Sequence, residues 1–347
     1  MGLVRRIARA RLASQVIRRL RRAGVGDARY DARAFAVRFT TDSDDVPTVL
    51  PLDGLFAQRV KGRRERRAQL QRFVAGSVGT GLPEAWAQVR PLLRPVLRGA
   101  VPATGISTPL CRPALPFLTE YVVIDQPDTM TYVAAEQVTR WGVPPGEVFA
   151  AAHANLTGAV LHGVAREPTV VQFVDDGDAY WTSHLLLDGW LARLAEQVGG
   201  EPVAFAPERG TLLVTAIGSA HVLRLFGQAE VAYVTSPRAL TPMAYVSDAR
   251  GRTVPFDPPP GDPVHDCVRR ARAVQAMQEY ARQAETLADA APLFLTGDGR
   301  TRTVLQAGAL LPCADEVLIG DDVRPWAAVE PGLTRDPAAD PPRWRAG

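Results

Sequence analysis

"LPFLTEYVVIDQPDTMTYVAA", residues 115–135, decides the fold class. Two runs of strand-forming residues flank Gln126–Pro127–Asp128. Proline presets the φ of a turn, and aspartate bonds nearby backbone N–H groups. Strands joined by so short a bend must lie antiparallel, because a parallel crossover needs a dozen residues or more. "TPMAYVSDARGRTVPF" (241–256) repeats the pattern with Asp248–Gly251 at its tip, and "PVAFA" and "TLLVTAIG" flank the turn Pro207–Gly210. Hairpin-linked strands interspersed with helices predict an α+β fold. Its sheet is mixed or largely antiparallel and packs against helices.

Outward from these hairpins, helical spacing dominates. Val4, Ile7, Leu12, Val16, Ile17 and Leu20 give an amphipathic helix that Gly24 and Gly26 close. "VVQFVDDGDAYWTSHLLLDGWLARL" (170–194) reads as strand, aspartate-rich turn and helix. Thr182 or Asp178 is its expected N-cap, and Leu187, Trp190, Leu191, Leu194 and Val198 its buried stripe. His184 and Asp188 stand one turn apart and are placed to pair. "DPPPGDP" (257–263) marks a boundary, since its prolines continue neither ladder nor helix. The expected organisation is a core domain over 1–257, a Pro-rich linker at 258–263, a small C-terminal helix-hairpin extension over 264–320, and a flexible tail over 321–347.

The 347 residues are 46% hydrophobic, enough for a sizeable core. No apolar run reaches the roughly 18 residues of a membrane span, and the N-terminus lacks a secretory h-region. Cys111, Cys267 and Cys313 lie too far apart for a C-x-x-C motif, so no disulfide framework is expected and a reducing cytoplasm is the natural setting. The net charge of +3 hides a gradient. Residues 1–76 hold 18 Lys/Arg against 7 Asp/Glu, and the rest hold 22 against 30. Of all these basic residues only Lys61 is lysine, a bias of GC-rich, bacterial coding.

Four constellations could carry chemistry. Asp175, Asp176 and Asp178 offer hard oxygen ligands for a divalent metal, without EF-hand spacing. Asp176, Ser183 and His184 could serve a hydrolase. Turn and capping chemistry explains the same residues without catalysis. "AGSVG" (75–79) resembles a nucleophile elbow, but it follows a helix where the elbow needs a strand. Arg5, Arg9, Arg63, Arg64 and Arg67 could bind anions through two basic helices. The absence of interleaved aromatics and of any helix-turn-helix signature argues against nucleic acid as their partner. No cofactor motif is present, and none is expected.

Several stretches in order resemble the bacterial family known as domain of unknown function 1444. They include "TPLCRPALPFLTEYVVIDQPDTMTYV" with Val123, Ile124 and Asp125, and "WGVPPGEVFAAAHANL" ending in Asn155 and Leu156. Asp176, Gly177, Ser183 and Leu186 match a further segment, as do "APERGTLLVTA" and "ALTPMAYV". The likeness covers about 1–257. It departs at His184, where arginine is expected, and at Gly210, where aspartate is expected. It implies a cytoplasmic bacterial protein of α+β build and carries no reaction.

These readings favour a non-enzymatic protein that binds a partner, such as another protein. Val268, Ala271, Val274, Ala276 and Met277 on the long helix form an expected docking face. A hydrolase or metal-dependent enzyme sited between Asp175 and His184 is the alternative. Binding to anionic surfaces or nucleic acid by the N-terminal helices is a weaker third.

Overall fold

The computed structural model describes all residues except 1–2, 33–34, 40–47, 53–54, 57–61, 78–84, 100–108, 127–128, 157–162, 175–179, 237, 340 and 347. Side chains of a few further residues, including Arg5 and Arg63, also lie outside the description. The fold is α+β with mostly antiparallel sheets, as the hairpins predict. The chain forms two compact units. The first comprises 1–96, 102–111 and 121–157; the second comprises 97–101, 112–120 and 158–347. The Pro-rich stretch 258–263 therefore lies inside the second unit.

In the first unit, a helix Leu3–Arg22 and a helix Arg63–Ser77 accompany a three-stranded antiparallel sheet. Its strands are β1 (Arg29–Asp31), β2 (Ala36–Phe39) and β3 (Thr48–Pro51). Leu12, Val16 and Leu20 share a core with Val37, Phe39, Leu70 and Val74. The first helix stops as expected. Gly24 takes φ 96°, Gly24 N donates to the Arg21 carbonyl at 3.2 Å and Val25 N to the Leu20 carbonyl at 3.0 Å. A left-handed residue that ties off the last carbonyls in this way favours glycine.

The opening hairpin is present. β4 (Leu93–Gly99), β5 (Cys111–Leu115), β6 (Leu118–Gln126) and β7 (Thr129–Tyr132) form one sheet, with Val123 opposite Tyr132. The helices Ala135–Trp141 and Pro145–Ala154 follow, and Val138, Val148 and Phe149 pack with Val122 and Ile124.

The second unit is built on β8 (Val171–Val174), β9 (Pro202–Glu208), β10 (Thr211–Ala216), β11 (Ala244–Ser247) and β12 (Thr253–Pro255), in the order β12-β11-β9-β10-β8. All its pairings are antiparallel. One face packs on Trp190, Leu191 and Leu194. The other packs on the helix His221–Thr235 and on the first turns of the helix His265–Ala284. The expected docking face of that second helix is thus occupied by its own chain. Val268 and Ala271 belong to the sheet core, while Ala276 and Met277 pack with a separate cluster around Tyr280 and Trp326.

The segment 321–347 is no tail. β13 (Phe294–Leu295), β14 (Thr301–Val304), β16 (Glu316–Ile319) and β17 (Asp322–Pro325) form a four-stranded sheet in which β14 and β16 run parallel. β15 (Leu310–Pro312), β18 (Leu333–Asp336) and β19 (Arg343–Ala346) form another. Trp326 meets Trp344 edge to face at 5.1 Å. The prolines and charges of this segment suggest fraying. Two tryptophans and a buried arginine override them.

Glu279 is 2% exposed and meets Arg282 at 2.8 Å. Burial pushes its carboxyl pKa up, against the lowering pull of Arg282. A folded-state value above the unfolded one favours folding most at pH below the unfolded value. That contribution is lost as pH rises through the raised value. Glu279→Gln is expected to flatten the decline of Tm over this interval. Melting curves from about pH 4 to about pH 8 check it, and an unaltered slope would refute the assignment.

Candidate functional site

The aspartate-rich segment comes first. β8 ends at Val174, and the metal and catalytic candidates Asp175, Asp176 and Asp178 lie outside the described residues. The chain re-enters at Tyr180 in the left-handed region, φ 47°. A 3-10 turn, Trp181–Leu186, follows in place of the expected helix. The N-cap is Tyr180, with no side-chain capping bond, rather than Thr182; Asp178 lies outside the described residues. Thr182 Oγ1 instead donates to the Arg209 carbonyl at 3.4 Å. Gly189, φ 73°, then breaks the periodicity, and its N–H donates to the Gly251 carbonyl at 2.7 Å. A Cβ on Gly251 would come 3.1 Å from Gly189 N, so the hairpin tip can approach only as glycine. Helix resumes only over Ala195–Val198.

Ser183 and His184 are 2% and 1% exposed. His184 lies between Trp181 and Trp190, with ring centroids at 5.2 and 5.0 Å, and its Nδ1 is 3.2 Å from the Tyr180 carbonyl oxygen. Asp188, its expected companion, is exposed. A nucleophile or a base needs a face open to substrate. His184 is a buried member of an aromatic cluster with Trp181, Trp190 and Phe173, and Ser183 is buried next to it in the chain. Among the described residues, no group of three His, Cys, Asp or Glu is placed to hold a metal.

The predicted anion-binding arginines separate. Arg9 stacks over Phe35 at 4.2 Å, a cation–π contact within the first unit's core. Arg64 and Arg67 are exposed. Arg5 and Arg63 have side chains outside the description.

A different site emerges on the helix His265–Ala284. Arg269, Arg272, Ala273, Ala276 and Tyr280 line a pocket of about 450 Å³. Their spacing, i, i+3, i+4, i+7 and i+11, sets them on one helical face. Met243 and Phe117 add apolar wall. Phe117 stands at φ 60° in the two-residue turn between β5 and β6. A bulky residue there is strained by roughly 1–2 kcal/mol where glycine would be relaxed.

The polar groups of the pocket differ in commitment. Asp315 Oδ2 accepts from Thr301 N at 2.7 Å and Thr301 Oγ1 at 2.9 Å. Tyr280 Oη donates to the Pro342 carbonyl at 3.0 Å and accepts from Cys313 N at 3.2 Å. The arginines are held more loosely. Arg272 meets Asp257, itself 70% exposed, at 3.1 Å. Arg269 reaches the Asp298 carbonyl at 3.0 Å. Its buried Nε has no hydrogen-bond acceptor among the described residues, the exposed Asp266 carboxylate standing off at 3.8 Å. Exposed ion pairs contribute about 0–1 kcal/mol, so an entering anion can displace them. Sequence reasoning missed this site because Phe117, Met243 and Thr301 join the helix only in space. The one local signal was the helical spacing of Arg269, Arg272, Ala273, Ala276 and Tyr280.

No protein-family model, curated protein or solved structure matches this chain.

Proposed function

We propose that the protein is a non-enzymatic binding protein whose ligand is a small amphipathic anion held in the Arg269–Arg272 pocket. The observation that carries this reading is the buried Arg269 Nε, which has no hydrogen-bond acceptor among the described residues, beside an apolar floor. An anion with an aromatic or aliphatic body satisfies both features. Its carboxylate or phosphate meets two guanidiniums, and its body covers Ala273, Ala276 and Phe117. The volume suits a small molecule, since ligand pockets run from about 300 to 1,000 Å³. A reducing compartment accords with the three cysteines, all free thiols.

The probe is anilinonaphthalene sulfonate, an amphipathic anion, competed by aryl carboxylates and aryl phosphates and by their neutral amides. Saturable binding is expected, displaced by the anions and not by the amides. Arg269→Glu and Arg272→Glu should each weaken it by about 10- to 100-fold, the range of one lost hydrogen bond to a charged group. Circular dichroism confirms that the variants are folded. Equal competition by amides and anions, or unaltered affinity in both variants, would overturn the proposal.

A further inference from the structure

The helix His221–Thr235 covers the five-stranded sheet with one face and turns an apolar row outward with the other, independently of the pocket. Val222, Leu225, Phe226 and Ala229 are buried in the core with Val203 and Phe205. On the opposite side Leu223 is 49% exposed, Val231 64% and Val234 53%. The steps from 223 to 227, 231 and 234 stay on one helical face, so Gly227 lies in the same row. A solvent-facing helical surface is ordinarily polar.

Among the described residues, nothing around Gly227 requires glycine. It is exposed in mid-helix, its backbone is not left-handed, and a Cβ there would meet nothing within 4 Å. Glycine weakens a helix interior through its backbone entropy, and what it offers in return is the close approach of another backbone.

The residues about Gly227 are complementary to themselves under a two-fold rotation. Leu223 lies four residues before it and Val231 four after. Arg224 lies three before and Glu230 three after. Ala220, the exposed N-cap, lies seven before and Val234 seven after. Two such helices crossing antiparallel at Gly227 set apolar residues against apolar ones and each arginine against a glutamate. Arg224 is exposed, and its Nη2 donates to His221 Nδ1 at 3.3 Å. Arg270 Nε and Nη2 hold the Glu230 carboxylate at 2.7 and 2.6 Å. A carboxylate has about four acceptor sites, so this bidentate pair fixes Glu230 and leaves room for a second guanidinium. Arg224 and Glu230 of one helix are six residues apart and do not face each other.

We infer that this face binds a second copy of the chain, as an antiparallel two-fold pairing of the helix His221–Thr235 about Gly227. An isologous contact needs one patch that fits itself, and the charge pair fixes its register. A lipid surface is disfavoured, because the row has a charge pair at its centre and no aromatic residue. Fifteen residues span about 22 Å. One helix pair of that length buries an area at the low end for specific complexes, so the dimer is transient.

Sedimentation equilibrium of the full chain from about 1 to about 500 µM tests the inference, the range in which a transient interface fills. A monomer–dimer equilibrium is expected. Val231→Asp should weaken it by at least about tenfold, because it sets a carboxylate against an apolar side chain at the interface. Val174→Asp, the same change at another exposed valine, should leave it unaltered. Arg224→Glu and Glu230→Arg should each be monomeric alone, since like charges then face each other. Mixed, these two variants should associate, because every facing pair is again opposite in charge. Circular dichroism checks that each variant is folded, and the two valine variants decide the outcome whether or not Glu230→Arg tolerates Arg270. A chain monomeric at the highest concentration, a dimer that Val231→Asp does not weaken, or equal loss in Val174→Asp would overturn the inference. So would folded charge variants that stay apart when mixed, or a monomer that binds phospholipid vesicles through Val231.

Discussion

Arg343→Ala is expected to unfold the C-terminal part of the chain. Arg343 is 0% exposed, and among the described residues no carboxylate pairs with it. Its Nη1 donates to the Ala291 and Leu310 carbonyls at 2.9 and 2.7 Å, its Nη2 to the Tyr280 carbonyl at 3.0 Å, and its Nε to Gln283 Oε1. The guanidinium also stacks 5.1 Å from the Tyr280 ring. Burial lowers its pKa, the tyrosine opposing weakly. Truncation takes a donor from the Ala291 and Tyr280 carbonyls and the Gln283 amide oxygen in a dry site, while the Leu310 carbonyl keeps Ala291 N at 2.9 Å. Each orphaned group costs about 1–3 kcal/mol, so a total above about 4 kcal/mol is expected, a large part of a typical 5–15 kcal/mol stability. Lysine should not rescue it, because an ammonium cannot span four acceptors as a planar fork does. Denaturant titration and limited proteolysis check this, the latter by cleavage after about residue 285 in the variant alone. A loss below about 1 kcal/mol would show that the carbonyls find other donors.

Trp190→Ala is expected to cost about 3–5 kcal/mol, the range for a large aromatic removed from a core. The indole is 2% exposed and touches the rings of Phe173 and His184 at 5.7 and 5.0 Å. It packs on the inner face of the five-stranded sheet with Leu191, Leu194 and Tyr245. Glycine-bounded 3-10 turns hold this layer, so little regular helix remains to keep the cavity open or to close it smoothly. The midpoint of urea unfolding, followed by far-ultraviolet circular dichroism, reads the effect. A shift equivalent to less than about 1 kcal/mol would mean that the layer collapses onto the void.

The hairpins are legible in the sequence because strand pattern and turn chemistry agree locally. β6 with β7 and β11 with β12 pair about the bends the sequence marks. The 183–200 segment misleads for a physical reason. Trp190, Leu191, Leu194 and Val198 fit a helical stripe and are all buried, yet Gly189 breaks the helix to admit Gly251. Residues 321–347 mislead because composition counts charges and prolines equally. Trp326, Arg343 and Trp344 outweigh them once they meet partners far away in sequence.

The helix His265–Ala284 has a consequence for biosynthesis. Its early turns close the core around Val203, Phe205 and Phe226, and its later turns open the cluster of Tyr280, Leu311 and Trp326. On the ribosome the five-stranded sheet is therefore complete in hydrogen bonds before it is complete in burial. A nascent chain paused near residue 257 exposes an apolar surface that only the next stretch of translation can cover.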